Sequence, residues 1–165
     1  GARLSVTIEL FGVRPFKKDE ILHLAGGLGT VRLMHATKNI LVLDINGVKV
    51  DFVNYKYPLL REVHQESDIR LVSLPDIGAM KLAAITGRGR KRDFTDLFFL
   101  MKQFTLSELL AFYNQKYPDG SEFLIARSLT YFDDADQDES PVLLKNADCL
   151  TVKKNIENEV KKLYQ

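Results

Sequence analysis

The sequence predicts an α+β fold, with a small mixed β-sheet in the first half of the chain and a helical bundle in the second. Up to about residue 55, apolar residues alternate with polar ones, which is the period of a strand. From residue 75 onwards they recur every three to four positions, which is the period of a helix. We therefore expect a sheet region over residues 1–74 and a helical region over residues 75–165, packed as one compact unit.

The composition is that of a globular protein. The chain has 165 residues, of which 45% are hydrophobic and 27% charged, and its net charge of +1 gives no global basic field for nucleic acid. Its single cysteine, Cys149, fits a cytoplasmic protein without disulfides. No apolar run is long enough for a membrane span, and no signal-peptide layout opens the chain. The start at Gly1, without a methionine, suggests a truncation upstream.

The first half reads as strands around one short helix. Residues 4–11 predict a half-buried strand, because apolar and polar residues alternate there. Its apolar face holds Leu4, Val6, Ile8 and Leu10, and its polar face holds Ser5, Thr7 and Glu9. A helix is expected over residues 17–25, ended by glycines, and further strands over residues 31–35, 39–45, 48–55 and 69–72. Asn46-Gly47 predicts a tight hairpin between the strands over residues 39–45 and 48–55.

The second half reads as helices. Pro75 predicts a helix start, with Ser73 or Leu74 as its cap and Gly87 and Gly89 as its stop. Further helices are expected from about residue 92, over residues 106–117 and 121–131, and over residues 151–164. The acidic stretch 133–140 is interpreted as a solvated loop.

The stretch between residues 81 and 97 is the most informative part of the chain. It collects charged side chains at a glycine-bearing break between two helices, and the site candidates among them are Lys81, Arg88, Arg92, Asp93 and Asp96. Lysine and arginine at such a break suit phosphate oxygens, and the carboxylates would orient these cations or touch a metal. The pattern indicates a nucleotide or phosphate site, and the alternative is a structural cluster of ion pairs.

Two carboxylates of the sheet region suggest a cation site. Glu9 lies on the polar side of the first strand, and Asp51 lies between apolar neighbours in a later strand. If the two strands are adjacent, these side chains could converge on a divalent cation, since Mg²⁺ prefers oxygen ligands. The alternative for Asp51 is an edge strand with the carboxylate facing water.

These residues resemble those of the AbiEii/AbiGii toxin family, within the polymerase β-like nucleotidyltransferase superfamily. The resemblance covers nearly the whole chain and is most specific in three segments. These are the helical segment from Asp76 through Lys81 and Arg88 to Asp96, the hairpin 46–53 and the segment 131–135. It implies a nucleotidyltransferase-type sheet and a site that uses two metal ions.

The resemblance also implies residue roles. Asp51 is similar to the family's third metal carboxylate, Lys81 to its triphosphate lysine and Asp96 to its later catalytic aspartate, a role that Asp93 could share. Thr7 and Glu9 occupy the places of the family's Asp-x-Asp pair, which leaves Glu9 and Asp51 as expected Mg²⁺ ligands in a weakened site. The family's glycine-rich phosphate loop would lie upstream of Gly1.

Three hypotheses follow from the residues and the resemblance. The first is an enzyme that uses Mg²⁺ to transfer a nucleotidyl group from a nucleoside triphosphate to an acceptor such as tRNA. It would act as the toxin of a phage-defence pair with a cognate antitoxin protein. The second is a degenerate or truncated relative that binds nucleotide or a protein partner without turnover. In the third, the segment 81–96 only locks two helices together.

Overall fold

A computed structural model describes residues 3–5, 7–12 and 14–165. Its contacts divide the chain into two units. The sheet unit comprises Ser5–Tyr57, and the helical unit comprises Pro58–Gln165 together with Arg3 and Leu4. A mixed sheet and a set of helices make the architecture α+β, as the sequence predicts.

The sheet unit contains one helix and a four-stranded sheet. Its elements are β1 (Thr7–Gly12), α1 (Lys18–Gly26), β2 (Val31–Ala36), β3 (Ile40–Ile45) and β4 (Val48–Asn54). The strand order is β1-β4-β3-β2, in which β1 runs parallel to β4 and the other neighbours are antiparallel. β4 therefore lies inside the sheet with a neighbour on each side. The strand predicted from residue 4 begins at Thr7, and Val6, predicted on its apolar face, lies outside the described residues.

The predicted hairpin at Asn46-Gly47 is confirmed. Both residues have positive φ, 53° for Asn46 and 84° for Gly47, as a tight two-residue turn between twisted strands requires. The Asn46 side chain also accepts a hydrogen bond from the backbone N–H of Thr30 and donates one to the carbonyl of Leu28, both at 2.9 Å. The turn thereby fixes the register of β3 against β4.

The two faces of the sheet have different roles. One face is covered by α1, and its buried centre is formed by Ala25, Leu41 and Leu43. Leu43 pairs with Val50, so the next residue of β4, Asp51, points to the opposite face. Four polar side chains share that opposite face on the neighbouring strands β1 and β4: Thr7, Glu9, Lys49 and Asp51.

The helical unit contains a short hairpin and six helices within its described residues. They are β5 (His64–Glu66), β6 (Ile69–Leu71), α2 (Leu74–Arg88), α3 (Lys91–Leu100), α4 (Leu106–Lys116), α5 (Glu122–Leu129), α6 (Asp133–Gln137) and α7 (Cys149–Lys162). Buried leucines and isoleucines from α2, α3, α4, α5 and α7 form one core, including Leu82, Leu97, Leu109, Ile125 and Ile156. Gly78 lets α4 approach α2, because a Cβ there would lie 2.6 Å from Cδ2 of Leu109.

Sequence chemistry explains the main helix ends. Ser73 caps α2 by accepting the backbone N–H of Asp76, and Pro75 sits in its first turn, as predicted. Thr105 and Glu108 form a reciprocal capping box at the start of α4. No helix among the described residues is long and apolar enough to cross a membrane.

Two local expectations are wrong, and one short strand was missed. The acidic stretch 133–140 contains the short helix α6, since Ala135 is buried against the core. Gly87 does not stop α2, which continues to Arg88, and Gly89 caps it in the left-handed conformation. The strand β5 was not predicted, because its three residues are exposed and show no apolar alternation.

Candidate functional site

The turn between α2 and α3 brings the predicted phosphate-binding segment together. Gly89 has φ 48° and its N–H donates to the carbonyl of Ile85 at 3.0 Å, which ends α2. A left-handed residue at this position suits glycine, since it has no Cβ to clash. Helix α3 begins at Lys91, two residues after Gly89. Its first two turns therefore contact the α2 face that carries Lys81 and Arg88.

Asp93 is the buried centre of this arrangement. Its carboxylate is fully buried, with Lys81 Nζ 3.1 Å from Oδ1 and Arg88 Nε 3.1 Å from Oδ2. A buried carboxylate is stable only with such partners, because water no longer solvates its charge. The prediction that Lys81 and Arg88 share one face of α2 is confirmed, since both reach the same carboxylate.

Asp96 is the second carboxylate, and its other partner was not predicted. Arg3 binds it with two parallel hydrogen bonds, 2.8 Å from Nε to Oδ1 and 2.9 Å from Nη2 to Oδ2. Lys81 Nζ lies 2.8 Å from its Oδ2. Burial raises the pKa of Asp96, but the Arg3 and Lys81 cations outweigh this and hold the pKa below its usual value.

We call these five residues the helix cluster: Arg3, Lys81, Arg88, Asp93 and Asp96. Three cations meet two carboxylates in it, so the helix cluster has a net positive charge. The Arg88 side chain is 46% exposed, and among the described residues it contacts Asp93 through Nε alone. The outer edge of its guanidinium is therefore available to an anion.

Arg92 differs from the other predicted cations. It is half-buried at the start of α3, and no ion pair to it is found among the described residues. Asp96, four residues further on, pairs with Arg3 and Lys81, so the (i, i+4) spacing to Arg92 does not produce a contact here. Arg92 thus adds a cation without a carboxylate partner in the described part of the chain.

The two predicted metal ligands occupy facing positions in the sheet. In the parallel register of β1 and β4, Glu9 pairs with Asp51 and Thr7 pairs with Lys49. Neighbouring strands lie about 4.8 Å apart, so all four side chains, which we call the sheet cluster, stand close together on one face. The expectation of neighbouring strands is confirmed. The edge-strand alternative for Asp51 is wrong, because β4 lies between β1 and β3.

Asp51 has one paired oxygen and one unpaired oxygen. Lys49 Nζ lies 2.8 Å from Oδ2. Oδ1 is buried and has no hydrogen-bond partner among the described residues. Across the sheet, Val42 of β3 and Glu9 of β1 stand opposite Asp51, and neither side chain can donate to Oδ1 while Glu9 is ionised. An unpaired buried oxygen costs about 1–3 kcal/mol, more when it is charged.

The donor set of the sheet cluster fits one divalent cation better than two. Asp51 Oδ1 is an unpaired acceptor, and the exposed Glu9 supplies a second carboxylate beside it. Thr7 brings a hydroxyl and no charge. Among the residues that the structure describes, no group of three or more histidine, cysteine, aspartate or glutamate side chains could hold a metal. Any ion here would need ligands from a substrate or water as well.

A further buried ion pair, between Asp76 and Lys116, was not predicted. Both side chains are fully buried, and Lys116 Nζ lies 2.6 Å from Oδ1 of Asp76 and 2.8 Å from the carbonyl of Pro58. Asp76 also accepts the backbone N–H groups of Leu60 and Arg61. Burial raises the pKa of Asp76, but hydrogen bonds from Lys116, Ser73 and Leu60 lower it further, below its usual value.

Sequence reasoning missed Arg3, Lys49 and the pair of Asp76 with Lys116 for different reasons. Arg3 and Asp96 are 93 residues apart, so no local pattern joins them. Lys49 did carry a signal, because it is two residues from Asp51 and must share its face of the strand. Lys116 ends a predicted amphipathic helix, where a lysine is ordinarily exposed.

Comparisons with known proteins agree with this architecture. The family profile "Nucleotidyl transferase AbiEii toxin, Type IV TA system" matches residues 14–157. The chain is 36% identical over 129 residues to the uncharacterized protein aq_aa25 of Aquifex aeolicus (strain VF5). That alignment covers 76% of this chain and 63% of the relative, so the chain spans less than two thirds of the relative's length.

Two solved structures from Helicobacter pylori share the fold. A candidate nucleotidyltransferase matches with a TM-score of 0.55 at 15% identity, over 98% of this chain and 79% of that one. JHP933 matches with a TM-score of 0.52 at 14% identity, over 98% of this chain and 76% of that one. At these identities the likeness shows a common fold only.

The profile match extends over most of the sequence and both units. The chain belongs to the AbiEii nucleotidyltransferase toxin family. It is a nucleotidyltransferase-like protein whose sheet and helical region have the fold of that class.

Proposed function

We propose that this chain binds a nucleoside triphosphate through the helix cluster and transfers its nucleotidyl group to an acceptor such as tRNA. The observation that carries this proposal is the arrangement around Lys81, whose ammonium is held between Asp93 and Asp96 at 3.1 and 2.8 Å. The two carboxylates fix the cation in place before any ligand arrives. Preorganised charge of this kind stabilises phosphoryl and nucleotidyl transfer.

In this proposal the cations have different roles in binding the triphosphate. Lys81 is a point charge and neutralises charge that develops on the triphosphate as the bond to pyrophosphate breaks. Arg88 and Arg92 present guanidinium groups that clamp phosphate oxygens. Asp93 orients Lys81 and Arg88, and Asp96 orients Lys81. Asp96 keeps its negative charge because Arg3 and Lys81 lower its pKa.

In the sheet cluster, Glu9 and Asp51 would hold Mg²⁺, with Asp51 Oδ1 as the ready ligand. Mg²⁺ bound there would supply positive charge that stabilises negatively charged oxygen atoms. In the transfer itself, an acceptor hydroxyl oxygen forms a bond to the α-phosphorus. The bond from that phosphorus to the bridging oxygen breaks, pyrophosphate leaves with the electron pair, and the hydroxyl proton passes to solvent.

The second candidate function is binding of nucleotide or of a protein partner without turnover. A specific observation favours it: Asp51 Oδ2 already holds the Lys49 ammonium, and Thr7 brings no charge to the opposite position. A site with fewer free carboxylates binds Mg²⁺ more weakly, because the ion requires near-ideal octahedral oxygen geometry. In this case Lys81, Arg88 and Arg92 would still bind the phosphates.

We also propose that this chain is a cytoplasmic toxin of a phage-defence system and that an antitoxin protein is its cognate partner. The support is the family, which is described as a type IV toxin–antitoxin family. The single cysteine, exposed and without a disulfide, agrees with a reducing compartment.

A transfer assay separates the two candidate functions. The chain is incubated with tRNA and each α-labelled nucleoside triphosphate, with and without Mg²⁺, and binding of each nucleotide is measured in parallel by calorimetry. Labelled tRNA that depends on Mg²⁺, and that Asp51→Asn loses, supports the enzyme. Nucleotide binding without labelled tRNA supports the binding module. If neither occurs in a folded chain, transfer to tRNA and nucleotide binding are both wrong, and binding of a protein partner is the candidate that remains.

A further inference from the structure

Lys49 lies beside the expected metal ligand Asp51, and the predicted site gives it no role. It precedes Asp51 by two residues on β4, so both side chains leave the same face of the sheet. Its ammonium lies 2.8 Å from Asp51 Oδ2, although the Lys49 side chain is 39% exposed and could extend into solvent. Thr7, directly opposite Lys49 on β1, carries no charge. Asp44, directly opposite Lys49 on β3, is engaged by Arg32 and by the backbone N–H of Gly47.

We propose that Lys49 is a resident cation of the sheet cluster, which competes with a divalent metal for Asp51 and thereby sets the metal affinity of the site. Two cations cannot share one carboxylate at close range without mutual repulsion. A metal that binds Asp51 must therefore work against the Lys49 charge or displace its side chain.

The side chains around Asp51 indicate that Lys49 is the group that controls the metal affinity of the sheet cluster. Four side chains flank Asp51 on its face of the sheet: Lys49 and Val53 along β4, Glu9 on β1 and Val42 on β3. Val42 and Val53 have no polar atoms, and Glu9 adds a second negative charge. Lys49 is the one cation among these four neighbours, and without it the carboxylate pair would attract a metal more strongly.

Titration with Mn²⁺, followed by calorimetry and by the loss of the free-ion electron paramagnetic resonance signal, tests this directly. The inference rests on the cation site of the proposed function, but the titration contains no nucleotide and no tRNA. Failure of nucleotide transfer therefore leaves its result unaffected. Lys49→Met keeps the length of the side chain and removes the charge. We expect this variant to bind Mn²⁺ on the order of tenfold more tightly than the parent chain.

Three further variants complete the experiment. Lys38→Met removes an equal charge from an exposed position in the β2–β3 turn of the same unit and should bind Mn²⁺ like the parent. Lys49→Arg keeps the cation and should also match the parent. Adding Asp51→Asn to Lys49→Met should abolish the gain. Equal Mn²⁺ affinity in Lys49→Met and the parent would overturn the proposal, as would an equal gain in Lys38→Met or a gain that survives Asp51→Asn.

Discussion

Helix α2 carries residues of two lysine–aspartate clusters, one near each end, and the two clusters differ in how far their cations are exposed. Near its N-terminal end, Asp76 and Lys116 are both fully buried, and their further partners include Ser73 and backbone groups of residues 58–61. Towards its C-terminal end, Lys81 is 19% exposed and Arg88 46% exposed, while their shared partner Asp93 is fully buried. The first cluster is sealed around its cation, whereas the second buries its anion and leaves its cations within reach of a ligand.

Whether the cations of a cluster are buried or exposed decides what the cluster can bind. A fully buried lysine cannot meet a phosphate, so the pair of Asp76 with Lys116 can only tie the segment before β5 to α2 and α4. A buried aspartate that holds partly exposed cations is a support for an anion site. In the proposed function, the same residue types on one helix therefore serve stability at one end and ligand binding at the other.

The largest expected effect is on stability at the sealed end. Lys116→Met should lower the free energy of unfolding by about 3–5 kcal/mol, because it leaves the Asp76 charge buried without its cation. Urea denaturation followed by circular dichroism measures the change. Lys154→Met, an exposed lysine of α7, is the matched control and should shift the stability by less than about 0.5 kcal/mol. A loss in Lys116→Met no larger than in this control would contradict a structural role.

A smaller stability loss is expected at the open end. Lys81→Met leaves Asp93 with Arg88 and Asp96 with Arg3, so neither carboxylate becomes an isolated charge. The same denaturation experiment should show a loss of about 1–2 kcal/mol. A loss as large as that of Lys116→Met would mean that Lys81 is mainly structural and would remove the contrast between the two clusters.

Acid should weaken both clusters. The pKa values of Asp76 and Asp96 lie below their usual value of 3.8 in the folded chain. Their stabilising contribution is therefore complete above that value and is lost as the pH falls below it, towards the folded pKa values. Urea midpoints measured from pH 5 to pH 2 should fall, and Asp96→Asn should make the fall shallower. Asp119→Asn, at an exposed position, should leave the slope unchanged.

The smallest stability effect is expected for Arg88. Because its side chain is 46% exposed and Asp93 keeps Lys81, Arg88→Gln should change the free energy of unfolding by less than about 1 kcal/mol. Its affinity for a nucleoside triphosphate, measured by calorimetry, should nevertheless fall. An unchanged affinity would limit the phosphate site to Lys81 and Arg92.

How much of the fold and of the candidate site could be predicted depends on whether the residues that form a feature are close together in the sequence. Asn46-Gly47, Ser73 with Pro75, and the segment from Lys81 to Asp96 carry their structure within a few residues, and these predictions are confirmed in outline. Asp51 was located on its strand, but its interior position depends on the parallel pairing of β1 with β4, which joins residues about 40 apart. Lys116 reaches Asp76 over 40 residues and Arg3 reaches Asp96 over 93, separations that the periodicity of apolar residues does not encode.

The helix α6 shows another limit of local patterns. Its acidic residues predict a solvated loop, yet one buried alanine, Ala135, and the neighbouring Phe132 anchor it to the core. Tertiary packing decides the conformation of such a short segment, because five residues do not form a stable helix alone.

The most direct test of the central claim is the nucleotide affinity of Lys81→Met beside that of Lys154→Met, by calorimetry at a temperature where both variants are shown to be folded. We expect the parent and Lys154→Met to bind a nucleoside triphosphate, whereas Lys81→Met should lose at least about tenfold in affinity. Equal affinity in all three proteins would contradict it, and the helix cluster would then be a structural lock like the pair of Asp76 with Lys116.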